Sequence, residues 1–458
     1  MDSPERITFT QDVPLTRLGA AGDARSAASQ RLAGLARQFF FRNRLDRVDF
    51  DAPILARGTG SVVEDVDGRQ YLDFNSGQMC AALGHNHPRI VAAIRESAQT
   101  LIHASSSLFN VKEIELAARL ADLVDRPLQK SFFLSSGSDA NEAAITVAKK
   151  YTGGYEVASP HVSFHGLSDA SRALTFAAWH RGYGPYPAGT CAIVAPYCYR
   201  CPLSQTFPKC EFACLKTSFE LLDAQSAGAG AAVITEPLYS AGGVIEPPPG
   251  WLRELKLMCE ARGLLLVLDE AQTGLAKLGS MFAYQREGVV PDILTLSKHF
   301  GGGVEISAVV TTPEIEDRVA SRGMVFSHSH TSDPMACAAA LASLDIITRE
   351  RLVDRATLIG LYWRQKLDGL AARHEIIGDV RGRGLLQGIE LVRDRETKEP
   401  FFDAGPRIAD RCLNRGLLFS VRRKGSVLRF VPPFTTTESQ MEKAAEILDG
   451  ALSAVESR

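Results

Sequence analysis

The sequence predicts an α/β fold in which a large domain, built on a mostly parallel sheet covered by helices, is joined to a smaller α+β domain. The first observation is a series of short apolar runs, typical of strands buried on both faces, at 131–134, 191–194, 231–234, 264–268 and 293–296. The second is helical spacing of apolar residues at 88–101, 111–123 and 251–262. The third is a change of pattern beyond about residue 340, where a long helical stretch precedes strand-like segments at 376–392 and a strand and helix at 427–456.

The N-terminal part of the chain precedes this alternating pattern. An amphipathic helix is predicted over 31–45, and apolar alternation around Asp67-Gly68 predicts a β-hairpin. We predict that residues 1–85 form an arm and hairpin that pack with the small domain. Residues 86–342 then form the large domain, and residues 343–458 form the small one.

Composition excludes several classes of protein. Of the 458 residues, 45% are hydrophobic and 23% charged, which is too apolar for a mainly disordered chain. The 51 basic and 53 acidic residues give a net charge of −2, whereas nucleic-acid-binding proteins usually carry a strongly basic face. The start lacks a signal peptide, and the apolar run 264–268 is far too short to cross a bilayer. We therefore expect a cytoplasmic protein that binds neither nucleic acid nor membrane.

Two candidate site segments follow predicted strands. Leu134-Ser-Ser-Gly-Ser-Asp-Ala-Asn-Glu-Ala143 reads as a strand, a turn of small residues and a helix, so the N–H groups of Ser136, Gly137 and Ser138 are expected to bind an anion such as phosphate. An ordinary helix cap is the structural alternative. Asp269-Glu270 ends an apolar strand, where a buried carboxylate needs a cationic partner or a structural ion pair.

Two further segments complete the candidate site. Lys298 follows a strand and precedes three glycines, and a lysine held inside the protein loses its proton readily and attacks carbonyl carbons. In Ser163-Phe-His-Gly-Leu167, Phe164 is suited to stack on a planar ring, whereas His165 reads better as a satisfied core histidine. An anion cradle, a stacking aromatic ring, a carboxylate and a lysine together match the requirements of pyridoxal phosphate.

Three motifs carry a resemblance to a known family: Gly-Ser-Asp-Ala-Asn-Glu-Ala at 137–143, Asp-Glu-Ala-Gln-Thr-Gly at 269–274 and Leu-Ser-Lys at 296–298. On these motifs the chain resembles the class III aminotransferases of pyridoxal-phosphate fold type I, from about residue 58 to the C-terminus. The resemblance implies a seven-stranded sheet in the cofactor-binding domain. It also implies a homodimer or tetramer whose subunits share active sites, with an amino donor and a 2-oxo acid as substrates.

The resemblance also implies roles for individual residues. Lys298 becomes the Schiff-base lysine and proton carrier, and Asp269 the partner of the pyridine nitrogen. The other cofactor contacts are Gln272 to the ring oxygen, Phe164 and Ala271 on the ring faces, and Ser136, Gly137, Ser138 and Ser329 of the partner subunit around the phosphate. Gln78 is expected to hold a carboxylate that leaves, and Arg429 to bind a substrate carboxylate.

Within the family, the chain is most similar to the 2,2-dialkylglycine decarboxylases, through the stretches 73–79, 83–88, 291–298 and 378–386. This similarity implies decarboxylation-dependent transamination of a 2,2-dialkylglycine-like amino acid, with pyruvate as the acceptor. Three residues depart from that pattern: Phe164 stands in place of Trp, Leu167 in place of Met, and Ala241 in place of Ser. The alternative is an ordinary aminotransferase, or a lyase or racemase of the same fold, that releases no CO₂.

Metal sites are weaker expectations. Cys198, Cys201, Cys210 and Cys214 form a Cys-x2-Cys-x8-Cys-x3-Cys pattern that predicts either a structural zinc site or loop thiols. By resemblance, Asp333 with Ser106 is a candidate for holding an alkali cation. His328-Ser-His330 and His85-Asn-His87 are expected to be loop residues, because no acidic or cysteine ligand stands at matching spacing.

Overall fold

The computed structural model describes residues 13–19, 25–43, 49–177, 180 and 182–457. Parts of the predicted arm (1–12, 20–24 and 44–48), including the end of the predicted helix, lie outside them. The strands are β1 Leu55–Thr59, β2 Val62–Asp65, β3 Gln70–Asp73, β4 Lys130–Leu134, β5 Glu156–Pro160, β6 Thr190–Ile193, β7 Gly230–Thr235, β8 Leu265–Asp269, β9 Ile293–Leu296, β10 Ser307–Thr311, β11 Ile377–Arg383, β12 Leu386–Asp394, β13 Glu399–Pro400, β14 Leu417–Leu418, β15 Ser420–Arg422 and β16 Val427–Phe430.

The helices cover most of the remaining described chain. They are α1 Ala27–Phe39, α2 Ser76–Met79, α3 Pro88–Thr100, α4 Val111–Ala121, α5 Gly137–Thr152, α6 Asp169–Ala173, α7 Ala213–Gln225, α8 Trp251–Glu260, α9 Tyr284–Glu287, α10 Pro313–Ser321, α11 Pro334–Arg349, α12 Leu352–Ala371, α13 Ala404–Asn414 and α14 Glu438–Glu456. Short 3₁₀ turns lie at Cys198–Arg200, Lys298–Gly301 and Arg423–Gly425.

The central sheet has seven strands in the order β4-β10-β9-β8-β7-β5-β6. The pairs β9-β8, β8-β7, β7-β5 and β5-β6 are parallel, so the predicted mostly parallel sheet is confirmed. β10 is antiparallel to both of its neighbours and was not among the predicted strands. Because β10 reverses direction between β4 and β9, the carboxyl ends of β4 and β9 lie at the same edge of the sheet.

The apolar runs become central strands because helices cover both faces of the sheet. Every residue of β8 and β9 is buried, as continuous apolar strands require. α5 begins where its sequence contains a capping box, with Ser136 as N-cap and Asp139 as the reciprocal acceptor, and ends at Gly153 with a φ of +82°. These caps place the N-terminus of α5 at the edge of the sheet where β8 and β9 end.

The C-terminal unit is built on a second, antiparallel sheet, β11-β12-β16-β15, with β13 paired to β12. α12 and α14 pack together, and α12 also packs against β11. The N-terminal strands form a third sheet, β1-β2-β3-β14, in which β14 pairs parallel with β3 through Leu417 and Leu72. This pairing links the hairpin to the C-terminal unit, and the proposed domain limits stay a prediction. None of the described helices has the length and apolarity needed to span a membrane.

The packing of α12 on the β11–β12 hairpin depends on Gly360. A Cβ at Gly360 would lie 2.5 Å from the carbonyl oxygen of Gly384, so Gly360→Ala is expected to destabilise the protein by about 1–3 kcal/mol. Gly369, in the same helix, is the matched control. An added Cβ there meets only the end of the Arg373 side chain at 3.8 Å, so Gly369→Ala should be neutral or slightly stabilising. Urea unfolding of both variants tests this account, and equal effects would contradict it.

Candidate active site

A cavity at the carboxyl edge of the central sheet brings together many of the predicted site residues. It encloses about 400 Å³ between the strand ends and the segment 421–429 of the C-terminal unit. Its lining includes Gln78, Phe164, Ala241, Gln272, Lys298 and Arg429. A larger surface cavity of about 640 Å³, beside β5 and β6, contains none of the predicted site residues.

Lys298 begins the 3₁₀ turn after β9 with a φ of +55°, which is uncommon for a residue with a side chain. Burial lowers the pKa of its ammonium group, and the nearby Cys80 thiol acts in the opposite direction. A lowered pKa increases the share of neutral amine, which is the form that attacks carbonyl carbons. Cys80 was missed by the sequence reasoning, because nothing in its local pattern places it beside Lys298.

Asp269, the last residue of β8, holds a buried carboxylate inside a cage of hydrogen bonds. Its Oδ2 accepts from Asn141 Nδ2 at 2.8 Å and lies 2.9 Å from His165 Nδ1. Its Oδ1 accepts from the backbone N–H of Ala271 at 3.0 Å. These donors offset the cost of removing the carboxylate from water and keep it aimed at the site.

His165 was expected to be a satisfied core histidine, and its buried, doubly bonded ring agrees with this while also connecting it to Asp269. Its Nδ1 bonds Asp269, its Nε2 lies 3.1 Å from Ser159 Oγ, and its side chain is fully buried. Because a carboxylate only accepts hydrogen bonds, the imidazole Nδ1–H must donate to Asp269. His165 therefore orients the site carboxylate. Its position after a strand end, beside Phe164, was the signal in the sequence.

The N-terminus of α5 lies where the anion cradle was predicted, with one difference. The backbone N–H of Ser136 donates to Asp139 Oδ2 at 2.9 Å, so it serves the cap and does not point at a ligand. Gly137 lies so close to the β9 end that an added Cβ would be 2.7 Å from Ser297 Oγ. The cradle and Lys298 are therefore neighbours. A glycine is needed at this close approach, and the arrangement fits a phosphate-bearing cofactor carried by Lys298.

Arg429 is buried at the other side of the cavity, with only 1% of its surface exposed. Its Nη1 donates to Ser240 Oγ at 3.0 Å and to Gln272 Oε1 at 3.1 Å, and its Nε donates to Ser420 Oγ at 2.9 Å. Gln272 was expected to contact a cofactor ring, and in the structure its carbonyl oxygen holds this guanidinium. The contacts join β16 of the C-terminal unit to two loops of the large domain.

Glu236 is a buried residue of this region that the sequence reasoning missed. It follows β7, and its carboxyl accepts from the backbone N–H groups of Phe164 at 3.0 Å and Ser240 at 3.2 Å. It thus fixes the stacking aromatic and the loop that carries Ala241. Burial raises the pKa of Glu236 to about 8, and the nearby Asp269 adds to this rise. An acidic residue directly after an apolar strand was the available signal, as it was for Asp269.

Three predicted site residues remain: Gln78, which lines the cavity, and Ala271 and Ser329, which do not. Gln78 is exposed and its Oε1 accepts from Asn75 Nδ2 at 3.2 Å. Ala271 is buried next to Asp269. Ser329 lies in an exposed turn between His328 and Thr331 and does not line the cavity of its own chain.

The structure gives the predicted zinc site no support. All four cysteines of the 198–214 segment line one small cavity of about 20 Å³. Within the described residues, however, the one set of three His, Cys, Asp or Glu ligand atoms within 4.8 Å of one another is His103, His330 and Asp333. Sulfur ligands of a tetrahedral zinc ion would be about 3.8 Å apart. No three of these four sulfur atoms lie within 4.8 Å of one another, so the structure lends no support to zinc over loop thiols, the alternative that the sequence left open.

The surroundings of Asp333 also differ from the expectation. Asp333 was grouped with Ser106 around an alkali cation, and His330 was expected to be an isolated loop residue. In the structure, the two carboxylate oxygens of Asp333 contact His103 Nδ1 and His330 Nδ1, each at 2.6 Å. The carboxylate is thus bonded to two exposed imidazoles.

The raised pKa of Glu236 predicts a specific pH dependence of stability. The folded protein keeps this carboxyl protonated up to about pH 8, whereas in the unfolded chain it ionises near its usual value of 4.5. The stability contributed by the proton is therefore complete below pH 4.5 and is lost as the pH rises towards 8. Glu236→Gln should flatten the fall in the free energy of unfolding across this window, measured by urea titration at several pH values. Glu220→Gln, on the exposed face of α7, is the control, and curves parallel to wild type for both variants would refute the assignment.

Comparison with known proteins agrees with this arrangement. Residues 48–452 match the family described as aminotransferase class-III. An uncharacterized aminotransferase of Schizosaccharomyces pombe is 42% identical over 88% of this chain and 91% of its own length. A leucine/methionine racemase of Thermococcus litoralis is 35% identical over 88% of this chain and 92% of its own.

A solved structure shows the same fold with its cofactor. An amine transaminase from an uncultivated Pseudomonas species, in the PLP-bound form, superposes with a TM-score of 0.86 at 29% identity, covering 91% of this chain and 98% of that one. Pyridoxal phosphate is therefore the cofactor of this fold, and the predicted fold type is confirmed. The cradle, the buried lysine and the caged carboxylate agree with the family match, and the chain belongs to the class III aminotransferases.

Proposed function

We propose that this chain is an ordinary aminotransferase, which uses pyridoxal phosphate to transfer the amino group of an amino acid or amine to a 2-oxo acid such as pyruvate without releasing CO₂. The observation that carries this proposal is the position of Arg429, a buried guanidinium in the cavity that also contains Lys298. A guanidinium held in this way is suited to bind a substrate carboxylate and retain it.

The residues around the cavity support a division of roles toward the cofactor. Lys298 would carry pyridoxal phosphate covalently, Asp269 would face its ring nitrogen, and Phe164 and Ala271 would cover its ring. Gly137 and Ser138 would hold its phosphate, together with Ser329 of the partner subunit. When bound, the cofactor supplies an electron sink for the bond that breaks at the substrate carbon.

The chain's own chemistry is then a proton transfer. Lys298 Nζ, whose pKa is lowered by burial, would accept the proton from the α-carbon of the amino donor and hold it within the site for its return. Glu236 holds Phe164, and His165 holds Asp269. The residues that contact the donor and the cofactor would therefore already be in position when the donor binds. Such preorganisation lowers the barrier because little has to reorient during the reaction.

The decarboxylase interpretation receives less support from the same geometry. Decarboxylation requires Gln78 Nε2 to hold the leaving carboxylate beside Lys298. Gln78 does line that cavity, with its Oε1 accepting from Asn75, so the case for amino transfer rests on the other lining residues. Phe164 and Ala241, which stand in place of a Trp and a Ser of the decarboxylase pattern, provide no side-chain hydrogen-bond donors to the cavity. A carboxylate that binds Arg429 in preference to Gln78 leaves the α-proton as the group to be removed.

Amino acid racemisation is the second candidate, favoured by the 35% identity to the Thermococcus litoralis racemase. A racemase and an aminotransferase both remove the α-proton with the same lysine. They differ in whether the amino group stays with the product. The 42% identity to an aminotransferase and the likeness to an amine transaminase support amino transfer.

We further propose that the working enzyme is a homodimer or a tetramer built from such dimers. The segment 101–114 exposes large apolar side chains, with Leu108 71% and Phe109 87% accessible. Apolar patches of this kind usually mark an interface. Asn110 Nδ2 donates to the carbonyl of Ser332 at 2.9 Å, so the patch is connected to the loop that carries Ser329. A second copy that covers this patch would bring Ser329 of one subunit close to the cradle of the other.

A donor panel tests the proposed function. Purified holoenzyme is mixed with pyruvate and with carboxyl-labelled amino donors, including L-alanine analogues and 2-aminoisobutyrate. We expect donors with an α-hydrogen to pass the amino group to pyruvate and to keep the label in their 2-oxo product. 2-Aminoisobutyrate, which has no α-hydrogen to remove, should stay unreacted. Release of labelled CO₂ from 2-aminoisobutyrate would contradict the proposal, and inversion of the donor without a 2-oxo product would identify a racemase. Arg429→Gln should raise KM for amino acids by roughly 10-fold or more, because a charged hydrogen bond is lost, while Gln78→Ala should change it little.

A further inference from the structure

The mouth of the cavity is strongly basic. Besides Lys298 and Arg429, its lining contains Arg422, Arg423 and Lys424, and no Asp or Glu is present among the described lining residues. The donor's α-carboxylate accounts for Arg429. The proposed amino transfer assigns no role to the turn Arg423–Gly425.

Arg423 is held in a defined position at this mouth. Its Nη1 donates to the carbonyl oxygen of Gly242 at 3.2 Å, and its guanidinium carbon lies 4.6 Å from the centre of the Tyr197 ring. A Cβ at Gly243 would lie 2.5 Å from Arg423 Cδ, so the glycine leaves the space that the arginine stem occupies. The guanidinium is thus oriented by a carbonyl and an aromatic face beside Ala241, and neither contact neutralises its charge.

The support behind Arg423 is itself rigid. The Tyr197 hydroxyl donates to Glu390, a fully buried carboxylate that also pairs with Arg381 and Arg200, each at 2.6 Å. Arg381 in turn donates to the carbonyl oxygen of Gly243 at 2.7 Å. The buried carboxylate is therefore satisfied by groups other than Arg423, and the ring on which Arg423 rests cannot turn freely.

Lys424 stands next to Arg423 on an equally constrained backbone. Arg423 and Lys424 have φ values of +50° and +56°, a region that residues with side chains seldom adopt. The backbone N–H of Ser426 donates to the carbonyl of Arg423 at 3.2 Å, and Gly425 packs against the carbonyl of Phe402 too closely to admit a side chain. The fold thus maintains a strained turn that presents two adjacent cations at the cavity entrance.

We propose that Arg423 and Lys424 form a second anion subsite that binds the side-chain carboxylate of a dicarboxylic amino donor while Arg429 binds its α-carboxylate. This inference rests on the proposed aminotransferase function and names its substrate class. Two cations in a partly enclosed cavity create a positive potential that water and salt screen less than at an open surface. A cavity of about 400 Å³ is large enough for a five-carbon dicarboxylate.

Matched donor pairs test the subsite with the holoenzyme. L-glutamate is compared with L-glutamine and L-aspartate with L-asparagine, because each pair differs in charge at nearly constant shape. At least one charged member should show kcat/KM roughly 10-fold or more above that of its neutral twin, and the advantage should shrink as salt rises. A higher kcat/KM for the neutral member of both pairs would overturn the proposal.

Variants without the two cations test whether Arg423 and Lys424 cause the preference for charged donors. Arg423→Gln with Lys424→Gln should remove the charged donor's advantage through KM, leaving kcat and the neutral donor within about twofold, since the reacting atoms are untouched. Lys443→Gln, an exposed lysine on α14, is the charge-matched control and should change nothing. Equal losses for charged and neutral donors would show a merely structural role.

A binding measurement separates this inference from the proposed function. Glutarate and butyrate are titrated into the holoenzyme by calorimetry, since neither has an amino group to transfer. Tighter binding of glutarate, abolished in the double variant, supports the subsite even if no donor in the panel reacts. Equal binding of the two acids by the wild-type enzyme would refute the subsite while leaving amino transfer intact.

Discussion

The burial of the Asp269 carboxylate at the end of β8 is the constraint on which the site depends. A carboxylate removed from water is tolerated only where donors surround it, and here the donors come from three different segments. Asn141 belongs to α5, His165 to the loop after β5, and the Ala271 N–H to the turn after β8. Asn141 also accepts from Thr295 of β9 at 2.7 Å. The requirement to satisfy one charge thus sets the relative positions of the cradle, the stacking loop and the strand that leads to Lys298.

A second consequence of this arrangement is that the cavity lies between the central sheet and the C-terminal sheet. Arg429 is on β16 of the C-terminal sheet, but it donates to Ser240 and Gln272, which follow β7 and β8 of the central sheet. Glu236 completes the connection by holding both Ser240 and Phe164 through their backbone N–H groups. The Arg429 guanidinium and the backbone of Phe164 are therefore parts of one hydrogen-bonded network. This explains how residues far apart in the sequence come to line one cavity.

The sequence predicts those parts of the site that come from local patterns. Apolar strands followed by polar residues pointed to Asp269, Lys298 and the α5 N-terminus, and the structure brings these to one edge of the sheet, because carboxyl ends of parallel strands meet there. Their roles toward a cofactor belong to the proposed function. Side chains that act through tertiary contacts were missed or only partly described. β10 is short and antiparallel, and a sequence gives no pairing direction. His165 matters because it bonds Asp269, and Glu236 because it accepts from the backbone of Phe164. The Ser136 N–H donates to Asp139. The cysteine spacing suggested zinc, but spacing does not determine where the sulfur atoms point.

The central claim is that Lys298, next to the caged carboxylate, carries the cofactor. The most direct measurement is the absorption spectrum of purified Lys298→Ala beside Lys277→Met, which removes a fully buried lysine outside the cavity lining. The account predicts a band near ~420 nm in wild type and in Lys277→Met but not in Lys298→Ala, and a borohydride-fixed cofactor on the peptide containing Lys298. A Lys298→Ala protein that keeps the band, or a cofactor fixed to another lysine, would contradict it.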